Sequence, residues 1–407
     1  MSGHNRLIVR SCQIGAFIQA ITVNLTPLLF LPLRDAMGLT WEQIGRLILI
    51  NFTAQMLTDI ICCGVADRVN TRVLIVAANA LSGVGLWIFA FSGSLFANPY
   101  DGIVAGTIVF SVGCGLLEVL LSPIINAVPS ERKARDMALL HAFYPIGKIC
   151  VILLTGLALW KAGTSAWPWI AVAWSIMPLA NTVPFLLAAP PALAQEGRRQ
   201  PLRELVRMGA FWRLLVILLL SGATEISIGQ WTSTYMEKGL GWPREVANLL
   251  GFGLFAVGMI VGRLWFARHG AEGHLDRIIR WGAVLSAVSY LVMALSPWPV
   301  MALVVSAPAG LFVSMLWPGT VSLTAARFPL AGASMFAMLA AFGDIGAAVI
   351  PWGVGAITDC VAAWTAQAPW PGFTPDQLGL RAGLLFGTLA PLALAWLSWR
   401  RKTGEAA

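Results

Sequence analysis

One carboxylate, Glu118, interrupts the apolar run GCGLLEVLLSPIIN, which extends from Gly113 to Asn126. An ionised carboxylate at bilayer depth costs about 2.5–3.5 kcal/mol on insertion scales and is tolerated mainly beside a cavity or a partner. At helical spacing, Glu118 shares a face with small and polar residues, namely Ser111, Gly115, Ser122 and Asn126. The pattern predicts a helix whose polar stripe lines an aqueous pathway, with a proton-binding group at its middle.

Other polar and aromatic side chains lie within separate apolar runs at comparable depth. Glu118 and Tyr144 lie about eight residues from the predicted cytoplasmic helix ends, and Lys148, Glu225 and Asp344 about eleven to fourteen. We therefore expect them to meet at one level of a central cavity. The predicted substrate-binding residues are Gln19, Asn24, Glu118, Asn126, Tyr144, Lys148, Glu225, Gln230, Trp231, Trp317 and Asp344, and the predicted ion-coupling residues are Glu118, Glu225 and Asp344.

Several of these residues also have a structural interpretation. Glu118 and Lys148 could form a fixed ion pair, whereas a pair that opens on proton or solute binding would load and release a proton. Glu225 and Asp344 could instead pack or gate helices, and Asp59 is expected to be a structural or gating acid. The indole rings at 231 and 317 could stack on the C–H face of a sugar or pack between helices.

The elements that must position these side chains are membrane-spanning helices. The chain has 407 residues, of which 58% are hydrophobic and 11% charged, and its mean hydropathy is +0.76. Apolar runs of about 20 residues, the length that crosses a bilayer, recur along it. We call them spans 1 to 12 and predict them at residues 10–33, 43–64, 72–93, 102–126, 137–160, 167–190, 211–236, 245–268, 276–296, 298–324, 333–358 and 379–399. The sequence therefore predicts an all-α membrane protein with little chain left for a soluble domain.

Basic residues predict the orientation of these spans. The net charge of +8 is spread over connectors rather than concentrated in one patch, which disfavours nucleic-acid binding. Most Lys and Arg residues fall in both tails and in the connectors after even-numbered spans, so both termini are predicted to be cytoplasmic. The expected location is the inner cell membrane. The expected domains are an N-terminal six-helix bundle at 1–192, a cytoplasmic linker at 193–210 and a C-terminal six-helix bundle at 211–407.

The two halves repeat a pattern of glycine and proline. Gly115-Leu116 followed by Pro123 in span 4 matches Gly310-Leu311 followed by Pro318 in span 10. A second match relates span 5 to span 11 through Ala142-Phe143-x-x-Ile146-Gly147 and Ala341-Phe342-x-x-Ile345-Gly346. Repeated halves are typical of transporters whose solute site lies between them near the bilayer midplane.

Catalytic and metal-binding signals are missing from the sequence. The six cysteines fall within or just beyond the spans, without a CxxC or a Cys/His cluster. No Walker A loop and no Ser/His/Asp spacing occurs. We therefore expect no enzyme activity, no cofactor and no metal.

The connector between spans 2 and 3, Gly64-Val-Ala-Asp67-Arg68-x-x-x-Arg72, resembles the signature loop of the major facilitator superfamily. Val69-Asn70-Thr71 replaces the usual glycine-rich tail of that loop. The resemblance implies two pseudo-symmetric six-helix bundles that work by alternating access. It also implies a cytoplasmic gate, for which the candidates are Asp67, Arg68, Arg72, Arg132 and Arg263.

A narrower resemblance is to the fucose–proton symporter group. The residues that carry it are Gly115, Glu118 and Pro123 in span 4, the run Gly222 to Tyr235 in span 7, and Gly310 to Pro318 in span 10. Members coupled to protons carry an acid in the middle of the first helix. Span 1 has only Gln13, Gln19 and Asn24 as polar candidates, and Pro27 stands at the nearest matching position.

The resemblance implies a monomeric transporter in the lipid bilayer that moves a small sugar-like solute, driven by protons or by sodium. Two alternatives stay open at this point. One is a transporter of an anionic solute such as a sugar acid, with Lys148 as its counter-ion. The other is a multidrug–proton antiporter, although Tyr144-Pro145-Ile146-Gly147-Lys148 does not match the glycine-proline motif of that class.

Overall fold

The structure is a computed structural model. It describes residues 3–39, 41–65, 69–191, 193, 200–236, 241–242, 250–251, 253–270, 272–296, 298, 300–367 and 370–399. In these residues the regular structure is helical, and the single β-bridge joins Gln200 to Ala331. The predicted all-α fold class is confirmed, and each predicted span contains a helix.

The first six spans correspond to seven helices. Span 1 consists of two helices, and spans 2 to 6 of one each; the bounds are Gly3–Leu28 and Phe30–Met37, then Trp41–Val65, Thr71–Ala90, Pro99–Ala127, Lys133–Ala162 and Trp167–Leu187. A short helix, Ser92–Leu95, follows span 3, and a 3-10 turn, Thr164–Ala166, precedes span 6. Another short helix, Leu202–Leu205, lies before span 7.

The last six spans include two that are broken. Spans 7, 8 and 9 are Gly209–Thr234, Gly253–His269 and Leu275–Leu295, with a 3-10 turn at Glu272–His274. Span 10 is divided into Val300–Val313 and Leu316–Arg327, span 11 is Ala333–Gln367, and span 12 is divided into Pro375–Gly387 and Leu389–Trp399. Among the described residues, ten helical segments are long and apolar enough to cross a membrane.

Proline explains where the broken spans divide. A proline has no N–H and its ring clashes with the carbonyl four residues earlier, so a helix bends or ends there. Pro32, Pro318 and Pro391 lie four residues after Leu28, Ser314 and Gly387, which mark the breaks in spans 1, 10 and 12. The hydropathy pattern predicted these spans as continuous because it does not record the loss of a single backbone hydrogen bond.

The chain divides into two compact units. The first unit contains Met1–Lys133, Leu139–Glu204 and Pro329–Ala341. The second contains Ala134–Ala138, Leu205–Phe328 and Phe342–Ala407. In both units large apolar side chains are exposed on the outer helix faces, as with Trp160 at 79% and Trp352 at 74%, and such faces suit lipid rather than water.

Arginine side chains bind backbone carbonyls at the ends of two helices. Arg72 donates to the backbone carbonyls of Phe185 (Nε–O 3.1 Å) and Leu186, at the end of span 6. In the second unit Arg381 donates to the carbonyls of Ala294 (3.0 Å) and Ser296 (2.7 Å), at the end of span 9. The last carbonyls of a helix have no intrahelical donor and carry partial negative charge. A guanidinium there supplies hydrogen-bond donors and a compensating positive charge.

Candidate functional site

In the first unit, Gly115 allows spans 2 and 4 to approach each other closely, three residues before Glu118. A Cβ atom on Gly115 would lie 2.9 Å from Cβ of Thr58 and 3.1 Å from the carbonyl oxygen of Gln55, so a side chain at 115 would push the two helices apart. This close approach places carboxylate oxygens of Asp59 and Glu118 within 4.8 Å of one another. Asp59 is completely buried, whereas Glu118 is half-buried.

A chain of amides continues this polar region from span 2 to span 1. Nε2 of Gln55 donates to Oδ1 of Asn51, and Nδ2 of Asn51 donates to the carbonyl of Thr22 at 3.2 Å. Asn51, Gln55 and Asp59 follow one another at four-residue intervals and are all buried, so they form one polar face along span 2.

Two of the predicted site residues, Gln19 and Asn24, lie in span 1. Nδ2 of Asn24 donates to the carbonyl of Ala20 in its own helix at 2.8 Å. Gln19 is half-buried, and its backbone carbonyl accepts a hydrogen bond from the hydroxyl of Thr22 at 3.0 Å. Asn24 therefore has a hydrogen-bond partner within its own helix. The role of both side chains in solute binding remains a prediction.

Spans 4 and 5 carry the remaining candidates of the first unit. Nε2 of His141 lies 3.4 Å from Oγ of Ser122, which links the two helices one turn away from Glu118. Tyr144 and Lys148 are half-buried, and so is Asn126, whose backbone carbonyl accepts a hydrogen bond from Nζ of Lys133. Their roles in solute binding remain predictions.

In the second unit, Glu225 of span 7 forms an ion pair with Arg263 of span 8. Nη2 of Arg263 lies 3.3 Å from Oε1 and 3.4 Å from Oε2 of Glu225. The Glu225 side chain is 14% exposed and the Arg263 side chain is 3% exposed. The sequence assigned Glu225 to substrate binding and ion coupling and Arg263 to gating, but the structure brings them together in one site.

The break in span 10 supplies a further partner for Arg263. Pro318 has no N–H to donate to the carbonyl of Ser314 four residues earlier, and Nε of Arg263 donates to that carbonyl at 3.0 Å instead. Gly262 allows this approach, because a Cβ atom at that position would overlap the hydroxyl of Ser314. Arg263 therefore connects a side chain of span 7 with the backbone of span 10.

The two predicted sugar-stacking tryptophans pack between spans 7 and 11. The indole of Trp317 lies against Gly222 and Gly343, where Cβ atoms would clash with its six-membered ring. Nε1 of Trp231 donates to the carbonyl of Pro351 at 3.1 Å, and its ring lies against Gly355. Both residues are half-buried, so each has one packed part and one accessible part.

Four further candidates belong to the second unit and the gate. Asp344 is half-buried between Gly343 and Gly346, the two glycines at which span 11 approaches Trp317 and the carbonyl of Leu219. The side chain of Gln230 lies outside the described residues, as do Asp67 and Arg68 of the signature loop.

Of the other gating candidates, Arg72 binds the end of span 6, as described above. Arg132 is exposed, and its backbone N–H donates to Oγ of Ser130 at 3.1 Å. The gating role of these residues remains a prediction.

Two groups of the candidate site are not predicted by the sequence. Asp59 was expected to be structural or gating, because nothing local in span 2 indicates that its carboxylate meets Glu118. The carbonyl of Ser314 carries no side-chain signal at all. The available signals were Pro318 four residues after it and the pair Gly258 and Gly262, whose spacing allows close helix packing.

Comparisons with known proteins agree with this architecture. A family model described as the Major Facilitator Superfamily matches residues 13–272. No curated protein matches the chain. Many solved structures resemble the chain, and three of them are given below. Their sequence identities are low enough that the likeness shows the fold alone.

The crystal structure of the E. coli fucose:proton symporter FucP has a TM-score of 0.69 at 15% identity and covers 97% of this chain and 98% of its own. The proton:xylose symporter XylE bound to 6-bromo-6-deoxy-D-glucose has a TM-score of 0.76 at 13% identity, with 96% and 95% covered. The human organic anion transporter MFSD10 has a TM-score of 0.69 at 14% identity, with 98% and 100% covered.

Proposed function

The chain belongs to the major facilitator superfamily and is a transporter rather than an enzyme, and on that premise we propose that it moves a small neutral sugar-like solute by alternating access, coupled to protons. Support for the solute class comes from the likeness to structures described as fucose:proton and proton:xylose symporters. The predicted binding residues supply the hydroxyl-binding groups that such a solute needs, namely carboxylates, amides and indole rings.

The observation that carries proton coupling is the pair of carboxylates in the first unit. Asp59 and Glu118 offer oxygens within 4.8 Å of each other, and Asp59 is fully buried. Two carboxylates this close repel each other when both are ionised, and a proton bound by either one relieves that repulsion. Asp59 on span 2 thereby supplies a second acid although span 1 has none. Glu118, the more accessible of the two, is the member that we propose exchanges its proton.

The experiment is transport into proteoliposomes that carry a pH-sensitive dye. A panel of neutral hexoses, 6-deoxyhexoses and pentoses is added outside under an imposed pH gradient. The expected result is accumulation of one of these sugars together with proton entry, both abolished by a protonophore. Accumulation driven equally well by a sodium gradient at constant pH would overturn the choice of proton, and the absence of any sugar uptake would overturn the solute class.

Replacing the proposed proton carrier tests its role within that assay. Glu118→Gln keeps the shape of the side chain but cannot bind and release a proton at neutral pH. We expect exchange of labelled for unlabelled sugar to continue, while a pH gradient no longer drives the sugar above equal concentrations on the two sides. Glu118→Asp retains a titratable acid and is expected to keep part of the accumulation. If Glu118→Gln accumulates sugar like the parent protein, the coupling residue lies elsewhere.

A second candidate function, transport of an anionic solute, is favoured by Lys148 at mid-span and by the likeness to an organic anion transporter. A sugar acid would need a cation in the site as its counter-ion. Lys148→Gln discriminates between the two candidates. For an anionic solute, binding measured by ligand-induced thermal stabilisation should be lost, whereas for a neutral sugar binding should persist while transport weakens.

A further inference from the structure

We propose that the second unit binds the headgroup of one anionic phospholipid where span 9 begins and span 12 ends, with Arg277 and Arg280 as ligands of the lipid phosphate. This lipid site goes beyond the proposed function and depends neither on the identity of the solute nor on the coupling ion. The positive-inside rule predicts that this end of the two spans faces the cytoplasm.

The first observation is an arginine that lies over an aromatic ring instead of beside an acid. Cζ of Arg280 is 5.1 Å from the ring centre of Trp399, and its Nε is buried without a hydrogen-bond partner. Among the described residues Arg280 forms no ion pair, although Asp276 lies one turn earlier on the same helix. The ring engages only the face of the guanidinium. Its N–H donors lie in the guanidinium plane, so they remain for an anion that compensates the half-buried charge.

The second observation is an exposed pair of tryptophans at the same place. The rings of Trp281 and Trp399 are 6.0 Å apart at 68°, and the side chains are 51% and 54% exposed. Nη2 of Arg213 donates to the carbonyl of Leu397 at 2.8 Å, which fixes the end of span 12 beside span 7. Exposed tryptophans near the ends of spans are typical of the membrane–water interface, where lipid headgroups lie. Arg280 therefore lies at headgroup depth.

The outer face of span 9 has the polarity profile of a phospholipid. Arg277, Trp281, Leu285 and Val288 are all exposed and follow one another at intervals of four, four and three residues, so they share one helix face. From the start of the helix inwards, this face is cationic, then aromatic, then aliphatic. A lipid presents its phosphate, its glycerol esters and its acyl chains in the same order. A soluble phosphate compound would match the cationic part alone, which is why the occupant is a lipid.

The charge of the site selects an anionic lipid over a zwitterionic one. Arg277 lies three residues before Arg280, so the two guanidinium groups are neighbours on the helix surface. In the sequence Trp399 is followed by the basic run 400–402, which lies outside the described residues. Basic residues just beyond a span attract anionic lipids, and guanidinium groups bind phosphate oxygens in a bidentate manner. Phosphatidylglycerol is the simplest lipid with this chemistry.

The test is native mass spectrometry of the purified full-length protein in detergent, with equal amounts of phosphatidylglycerol and phosphatidylcholine that carry the same acyl chains. We expect the parent to retain one phosphatidylglycerol molecule in preference to phosphatidylcholine. Arg277→Gln with Arg280→Gln should lower the ratio of the two retained lipids by roughly tenfold or more.

The matched control is Arg203→Gln with Arg207→Gln, which removes the same charge from two exposed positions before span 7. This control should keep the ratio of the parent. An unchanged ratio in the Arg277 and Arg280 variant would overturn the proposal. An equal loss in the control would overturn it too, because the preference would then follow net charge and not this site.

A second variant keeps the test decisive if the double variant does not fold. Arg280→Lys retains the charge, but an ammonium group can neither stack its plane on Trp399 nor bind phosphate in a bidentate manner. We expect a lower ratio of phosphatidylglycerol to phosphatidylcholine than in the parent. A ratio equal to that of the parent would contradict the assignment of Arg280 as a phosphate ligand.

Competition distinguishes a lipid from a soluble phosphate compound. Glycerophosphoglycerol, which is the headgroup without acyl chains, and inorganic phosphate are added at the concentration of the lipid. Neither should displace phosphatidylglycerol from the parent, because neither contacts the aliphatic part of the face. Displacement by either compound would overturn the choice of a lipid. These measurements involve no transport, so they decide the lipid site whether or not the protein moves a sugar.

Discussion

At the scale of single residues, buried asparagine side chains form hydrogen bonds between helices, whose register apolar packing alone would not fix. Nδ2 of Asn181 in span 6 donates to Oδ1 of Asn79 in span 3 at 2.9 Å and to the carbonyl of Ser11 in span 1 at 3.1 Å. Asn79 in turn donates to the carbonyl of Ile75 at 2.8 Å. In an apolar surrounding such bonds are strong because water cannot replace them.

We expect Asn181→Ala to lower the free energy of unfolding by about 1–3 kcal/mol, since it leaves Oδ1 of Asn79 without this donor. The measurement is the midpoint of thermal denaturation in detergent. The adjacent Thr182→Ala is the matched control, because the hydroxyl of Thr182 bonds only the carbonyl of Pro178 in its own helix at 3.1 Å. The control should change stability by no more than about 0.5 kcal/mol. Equal losses in the two variants would show that the interhelical amide contact contributes nothing specific.

At the scale of helices, the repeated glycine of spans 4 and 10 has the same physical role in both units. Gly115 allows span 4 to approach the carbonyl of Gln55 in span 2, and Gly310 allows span 10 to approach the carbonyl of Phe255 in span 8. In the second unit Gly258 and Gly262 provide the same clearance from the other side. Membrane helices lack a hydrophobic force between them, so close backbone contact is what holds them together.

Gly258→Ala should destabilise the protein by about 1–3 kcal/mol, because its added methyl group would overlap the carbonyl of Ala307. Gly156→Ala is the control: Gly156 is also helical, but a Cβ atom there meets nothing within 4 Å. Alanine has the higher helix propensity, so the control should be neutral or more stable by up to about 1 kcal/mol. The check is again the denaturation midpoint, and a more stable Gly258→Ala would disprove the packing argument.

At the scale of the whole molecule, the distribution of basic residues sets the expected orientation. Connectors after even-numbered spans are rich in Arg and Lys, and the positive-inside rule therefore predicts that both termini are cytoplasmic. This orientation predicts that span 11 ends outside the cell. Asp359 and Cys360, just past that predicted end, are exposed. The other cysteines are buried or half-buried in the described helices.

A membrane-impermeant maleimide should therefore label Cys360 from the outside of intact cells. Cys360→Ser should abolish the labelling. Ser130→Cys in that background, placed in the connector between spans 4 and 5, should react only after the membrane is permeabilised. Labelling of position 130 in intact cells would reverse the predicted orientation.

The positions of the helices and the acid in span 4 could be predicted because hydropathy and periodicity are local properties. The acid Glu118 stands out against thirteen neighbours in its run without reference to any other helix. A proline follows each break in spans 1, 10 and 12, but proline alone does not predict a break, because Pro123, Pro145 and Pro351 lie inside continuous helices. The partner of the Ser314 carbonyl could not be predicted either, because its donor, Arg263, comes from another helix.

By itself, the sequence determined that this chain is a bundle of membrane helices with two related halves and a few ionisable groups at depth. Those properties follow from the cost of placing polar atoms in hydrocarbon, which every residue type carries with it. Only the tertiary structure decided the partners: Glu225 meets Arg263, 38 residues away, and Asp59 meets Glu118. Such pairings depend on how each helix is rotated and how closely it packs, and these are set by glycine contacts and helix breaks acting together rather than by any local pattern.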